Sequence, residues 1–271
     1  MPDPVSHGRP QRLLAIAGSD SSGGAGIQAD IKTATALGAY AMTAVTAVTA
    51  QDTLGVHAVE LMPPALVAAQ IRACLEDIGA DAIKVGMLGS GEIAGAVAEA
   101  LDRYAANIPI VLDPILGSTS GTSFLDETGI QILREQLIPL ATLVTPNLPE
   151  WGRLVASTRS GKETFATNAD WLDALGAKAL LIKGGHEEGD EVLDMLVTPD
   201  TMQILTMPRL DTPHTHGTGC TLSTAIAFWL ACGLPLPAAV SHAREFVQSA
   251  IETAPGFGKG HGPLNHMHGR G

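Results

Sequence analysis

The stretch HTHGTGCTLSTAIA, residues 214–227, sets a cysteine just behind two glycines at the start of an apolar helical run. Gly217 and Gly219 let the backbone approach a ligand closely. Thr218, Gly219 and Cys220 then present N–H groups at a helix N-terminus, which favours anions. A thiol at such a place is expected to have a lowered pKa. Two readings stand side by side. Cys220 sits beside a transferring phosphoryl group, as proton acceptor for a substrate hydroxyl or as part of the anion cradle. Or it is a small buried residue at a tight helix start. The pattern GxxxxGK[ST] is absent, because Ser160-Gly161-Lys162 lacks both the leading glycine and a preceding strand. Residues 214–220 are therefore the candidate phosphate site. Gly24-Ala25-Gly26-Ile27-Gln28-Ala29 fits the dinucleotide pattern G-x-G-x-x-G/A, but no acidic residue closes the next strand where a ribose would be held. That segment reads as a substrate-lining loop.

These residues need elements to position them. RLLAIAG (12–18), AMTAVTAVTA (41–50), DAIKVGM (81–87), PIVLDP (109–114), ATLVTP (141–146) and AKALLIKGG (177–185) read as buried strands. Between them lie helical segments at 27–38, 65–79, 91–105 and near 126–137, then WLDALGA. Such alternation implies a parallel sheet with helices on both faces. Two short strands near 191–198 and 202–208, with no helix between them, suggest a hairpin at the sheet edge. Helices at about 218–232 and 236–254 follow. The expected fold class is α/β with three layers. Ligands gather beyond the carboxyl ends of strands in such sheets. Here GSD, TAQD, GML, LDP, TPN and KGG each follow an apolar run. A single domain over 12–255 is expected, with 1–11 and the stretch GFGKGHGPLNHMHGRG (256–271) as loose tails and 157–168 as a surface insertion.

The chain has 271 residues, of which 45% are hydrophobic and 4% aromatic, enough for one large core filled by Ala, Val, Leu and Ile. The net charge of −12, with no basic stripe, argues against a nucleic-acid partner. Three cysteines without regular spacing argue against a disulfide framework and fit a reducing cytoplasm. The first residues do not resemble a signal peptide, and no apolar run has the length of a membrane span.

GSDSSGGAGIQAD, TAVTAQDT, IKVGML, VLDP…SG, TPNLPE, LIKGGH and HTHGTGCTLSTAIA resemble, in order and spacing, the hydroxymethylpyrimidine/phosphomethylpyrimidine kinases of thiamin biosynthesis, in the ribokinase-like superfamily. The resemblance spans about residues 12–255. It implies a ribokinase-like fold and a homodimer. It also implies two reactions driven by ATP and Mg2+. The first phosphorylates the hydroxymethyl group of 4-amino-5-hydroxymethyl-2-methylpyrimidine. The second phosphorylates the resulting monophosphate. Most ribokinase-like enzymes carry an aspartate as base after the glycine turn; this family carries a cysteine, matching Cys220. Gln51 matches a pyrimidine-recognising glutamine, whose amide suits an aminopyrimidine edge. Met87 matches a residue that packs on the ring, and Gly18 belongs to the same substrate group. Asp30 either lines the pocket or orients the first loop. Asn147 and Glu150 match the N-x-x-E motif that organises magnesium and the ATP phosphates. Asp113 joins Glu150 at the metal. Lys183, with Gly185, falls near the ATP phosphates.

One departure concerns the loop Ile115–Gly121, expected to act as a lid. Thr119 stands where the family often has a lysine, which puts the second phosphorylation in question. His261, His266 and His268 are expected to lie in an irrelevant disordered tail rather than at a metal. Cys74 and Cys232 are expected in the core. The competing readings are a pyridoxal/pyridoxine kinase, a non-catalytic pyrimidine sensor and, further off, a dinucleotide oxidoreductase.

Overall fold

The computed structural model describes residues 9–117, 124–156, 167–185 and 189–269. Thr119, most of the 157–168 insertion and residues 1–8 lie outside them. The described strands form a nine-stranded sheet: β1 (Arg12–Asp20), β2 (Tyr40–Gln51), β3 (Val56–Leu61), β4 (Ala82–Val85), β5 (Ile110–Leu112), β6 (Leu143–Val144), β7 (Leu180–Ile182), β8 (Glu191–Val197) and β9 (Met202–Pro208). Their spatial order is β3-β2-β1-β4-β5-β6-β7-β8-β9. From β2 to β7 every pairing is parallel. The expected hairpin is present as antiparallel β8 and β9 at one edge. At the other edge β3 pairs antiparallel with β2. VHAVEL was not foreseen as a strand, because nearly all of it is exposed and it lacks a buried alternating face.

Strand pleating divides the core. On one face Leu14, Ile16, Ile83, Val85, Leu112, Val144, Leu180 and Ile182 meet α2 (Pro64–Ala73), α3 (Gly91–Tyr104), α4 (Glu127–Ile132), α5 (Leu148–Ala156) and α6 (Asn168–Asp173). On the other, Leu13, Ala82, Val111, Leu143 and Leu181 meet α1 (Gly26–Ala36), α7 (Thr218–Ala231) and α8 (Leu236–Glu252). This is the three-layer arrangement. α7 is buried along most of its length, which explains a sequence without a single charged residue.

The expectation of a loose C-terminal tail is corrected by the structure. Leu264 and His266 are buried. Asn265 N donates to Ala250 O at 2.9 Å, and the His268 ring packs on Phe246. Gly256, Gly258, Gly260 and Gly262 suggest disorder by composition. Here Gly258, Gly260 and Gly262 permit close packing instead: a Cβ on Gly262 would come within 2.3 Å of the His214 ring.

Candidate active site

β1 ends in Asp20, whose carboxylate gathers the following loop. Its oxygens accept from the backbone N–H of Ser22 (2.8 Å), Gly24 (3.1 Å) and Ala25 (2.8 Å). Burial pushes the Asp20 pKa up. Hydrogen bonds from His216, Ser22 and the loop amides outweigh it and hold the group below its ordinary value. The loop leads into α1 at Gly26 and makes one wall of a small pocket. Gly18, Gln51, Met87, Ile115 and Cys220 complete the lining that matters here. Gly18 has a steric reason: a Cβ would lie 2.4 Å from Met87 Cε. Thus Gly18, Gln51, Met87 and Cys220, far apart in sequence, share one cavity.

Gly217 caps α7 with φ 88°, and a Cβ there would lie 1.9 Å from Gly24 O. Only glycine fits, and the close approach binds the α7 start to the first loop. Thr218 N donates to Thr215 O at 3.2 Å, so the cradle expected from three amides rests on Gly219 and Cys220. The expected low thiol pKa is overturned. Burial pushes Cys220 up to about 11, with Asp30 and Asp113 adding to it; Lys84 and the N–H of Gly26 only partly oppose this.

Beside this pocket lies a second cluster. Lys183 Nζ meets Asp113 Oδ1 at 2.8 Å, and Thr145 Oγ1 donates to the same oxygen at 3.1 Å. Asn147 and Glu150 form a reciprocal cap on α5: Asn147 N donates to Glu150 Oε2 and Glu150 N to Asn147 Oδ1, both at 2.8 Å. The N-x-x-E spacing is thus a capping box that turns Glu150 inward. Burial pushes Glu150 up to about 7; Lys183 opposes this and Asp113 reinforces it. Burial alone would lower Lys183, but Asp113 and Glu150 keep its pKa raised and the ammonium charged. Gly219 joins the two clusters, since a Cβ there would lie 3.3 Å from Asp113 Oδ2 and 3.4 Å from Lys183 Nζ.

Other expected residues lie elsewhere. Asp30 is not in the pocket lining. It is buried beneath α7, with both oxygens on Lys84 Nζ (2.9 and 3.0 Å) and one accepting from Thr224 Oγ1 (2.8 Å). Burial alone would lower Lys84, but Asp30, Cys220 and Asp113 keep its pKa raised. Gly185 sits on the exposed turn after β7, its carbonyl accepting from Arg209. Cys74 and Cys232 are half-buried against the two cores. Asp20, Thr49, Lys84 and His216 were not singled out. GSD and HTHG did carry a signal: polar residues where a strand ends and where a helix begins.

The family model described as phosphomethylpyrimidine kinase matches residues 20–265. A hydroxymethylpyrimidine/phosphomethylpyrimidine kinase of Rhizobium meliloti is 44% identical over 94% of this chain and 96% of its own. A thiamine biosynthesis bifunctional protein of Geobacter sulfurreducens is also 44% identical over 94% of this chain, which spans only 52% of that longer relative. Among solved structures, the pyridoxal kinase of Staphylococcus aureus in complex with AMP-PCP and pyridoxal superposes with a TM-score of 0.83 at 32% identity, over 97% of this chain and 96% of that one. No helix among the described residues is long and apolar enough to cross a membrane. With its ribokinase-like sheet, its glycine-started α7 and a matched span that covers both clusters, the chain belongs to the phosphomethylpyrimidine kinase family.

Proposed function

We propose that this kinase transfers the γ-phosphoryl group of ATP to the hydroxymethyl oxygen of 4-amino-5-hydroxymethyl-2-methylpyrimidine, and then phosphorylates the monophosphate to the diphosphate. The observation that carries the reading is the junction at Gly219. There a pocket holding Gln51, Met87 and Cys220 abuts the Asp113–Lys183 pair. Gln51 offers an amide to the ring edge. Met87 packs on the ring face. The hydroxymethyl oxygen forms the new bond to phosphorus as the bond from phosphorus to the ADP oxygen breaks. The Gly219 and Cys220 amides stabilise charge on the transferring group, as positioning and electrostatics dominate this chemistry. Lys183 faces the phosphates, and Cys220 takes the hydroxyl proton.

Asp113 and Glu150 fit a magnesium ion. Mg2+ takes one or two carboxylates and completes its shell with phosphates and water. Asp113 and Glu150 would hold the ion, which would supply neutralisation of charge on the ATP phosphates. Asp113 is already paired to Lys183, so Glu150 is the carboxylate that gains most from a cation.

A pyridoxal kinase is the second reading, favoured by the Staphylococcus aureus likeness. The pyrimidine kinases are closer in sequence, 44% against 32%. We further propose a cytoplasmic homodimer, with the exposed edge strand β3 and its Val59 and Leu61 as the surface that gains from a partner. The deciding experiment incubates the protein with ATP, Mg2+ and hydroxymethylpyrimidine, with pyridoxal in parallel, and identifies products by mass spectrometry. Diphosphate supports both steps. Monophosphate alone confines the activity to the first step and points to the loop around Thr119. Preferential turnover of pyridoxal promotes the second reading, and no turnover leaves a sensor.

A further inference from the structure

Three segments line the pocket: the loop after β1, the end of β2 and the start of α7. They contribute Ala25, Gln51 and Cys220. Residues 256–268, which follow α8, touch the loops attached to all three. Pro263 bridges His216, whose N donates to Gly262 O at 3.1 Å. A Cβ on Gly24 would lie 3.3 Å from Pro263 Cβ. The densest contact is at Thr53, in the turn after Gln51. Its carbonyl accepts from His261 N at 2.9 Å, and its hydroxyl oxygen accepts from Lys259 N and Gly260 N, both at 3.1 Å. Both lone pairs of one hydroxyl are thus committed to amides 206 and 207 residues away.

Thr53 and Gln51 move together. Asp52 N donates to Gly55 O at 3.1 Å, and Asp52 Oδ1 accepts from Leu54 N at 2.8 Å and Gly55 N at 3.1 Å. The turn is therefore stiff. Its near end is tied to the first loop, since Gln51 N donates to Ser21 Oγ and Ser21 Oγ to Gln51 O, both at 2.8 Å. β3 is an edge strand, so no further strand of this chain backs the turn. The C-terminal strap does so instead. A Cβ on Gly260 would collide with Thr53 O. Gly260 does not have a positive φ, so it is the approach to Thr53 that calls for glycine there.

We propose that Thr53 is a positioning residue: held by residues 259–261, it fixes the β2–β3 turn and with it Gln51, which makes the C-terminal strap a supporting wall of the alcohol-substrate site. The proposal rests on the kinase reading above. A recognising side chain works only within about 0.5 Å of its productive place. The strap contacts named here fall on the loops around Gln51 and Cys220, and none of them involves Asp113, Glu150 or Lys183. Loosening the strap at Thr53 therefore weakens the hold on the pyrimidine and spares the hold on ATP.

The test compares wild type with three variants. Thr53→Val keeps the size and removes the acceptor. Thr53→Ser keeps the oxygen. Gly260→Ala leaves Thr53 intact and forces the strap away from it. Steady-state constants are measured for hydroxymethylpyrimidine and ATP. In Thr53→Val and Gly260→Ala the pyrimidine KM rises about tenfold while the ATP KM stays within about twofold. Thr53→Ser stays within about twofold of wild type for both. A pyrimidine KM unchanged in Thr53→Val overturns the proposal. So does an equal rise in both KM values with a lower Tm, which marks a merely structural role. If Thr53→Val fails to fold, Gly260→Ala carries the test, and an unchanged pyrimidine KM there is equally fatal. If wild type does not turn over the pyrimidine, the kinase reading fails separately. Calorimetric binding of hydroxymethylpyrimidine to wild type and Thr53→Val then decides: about tenfold weaker binding by the variant supports the proposal, and equal affinity, or none in either, ends it.

Discussion

At Cys220 the chemical difficulty is the proton that the thiol already holds. With its pKa pushed up to about 11, only about one thiol in 10⁴ is ionised at pH 7. The thiolate is the competent base and a strong one. Single-turnover rates of wild type therefore rise up to about tenfold per pH unit from pH 7 to 9. Cys220→Asp, a base that is ionised at lower pH, flattens that limb. A wild-type profile that is already flat over this range removes the thiolate from the mechanism. Cys220→Ala lowers the rate by about 10²–10⁴ with pyrimidine binding nearly unchanged, and unchanged turnover would sink the assignment outright.

Among the elements, the C-terminal segment has the clearest thermodynamic signature. His266 is buried against α7, its Nε2 3.0 Å from Thr221 Oγ1. Burial, with Lys32 and His268 adding to it, pushes its pKa down to about 4 from the usual 6.5. Between these values the unfolded chain binds the proton and the folded chain does not. Stability is thus complete above pH 6.5 and is lost as the pH falls towards 4, by up to roughly 3 kcal/mol. Thermal unfolding of wild type and His266→Phe over that window checks the sign. Wild type loses more than the variant, and parallel curves contradict the linkage. α5 acts in a simpler way: its cap aims Glu150, so Asn147 serves the site through the helix it begins.

Across the whole molecule, one buried ion pair ties the layers together. Lys84 on β4 meets Asp30 on α1, and Thr224 on α7 completes the group one turn beyond Cys220. Both charged side chains are almost fully removed from water, at 2% and 0% exposure. Lys84→Met leaves Asp30 uncompensated and costs about 3–5 kcal/mol, whereas the double replacement Lys84→Met with Asp30→Leu recovers much of the loss. Chemical denaturation measures both. Equal losses in the single and double variants argue that packing rather than charge dominates.

The parallel sheet, the edge hairpin, the glycine-started α7 and the family were legible in the sequence. Each is written in local chemistry: β-branched strand runs, glycine where φ is positive, polar residues at strand ends. Gln51, Met87 and Gly18 were singled out through the family resemblance, since a strand-end glutamine facing water and a methionine filling the core were the plainer readings of those residues by themselves; the fold sets them around one pocket with Cys220. Three things were decided only by tertiary contact. Burial turned a thiol expected to be acidic into a weakly acidic one. Asp30 went to Lys84 instead of the pocket because a carboxylate on the inner face of α1 needs a buried cation. The glycine- and histidine-rich end became a strap because its partners, Thr53, His216, Thr221 and Ala250, lie far away in the chain. Composition describes a segment by itself, whereas desolvation and pairing depend on what the fold places against it.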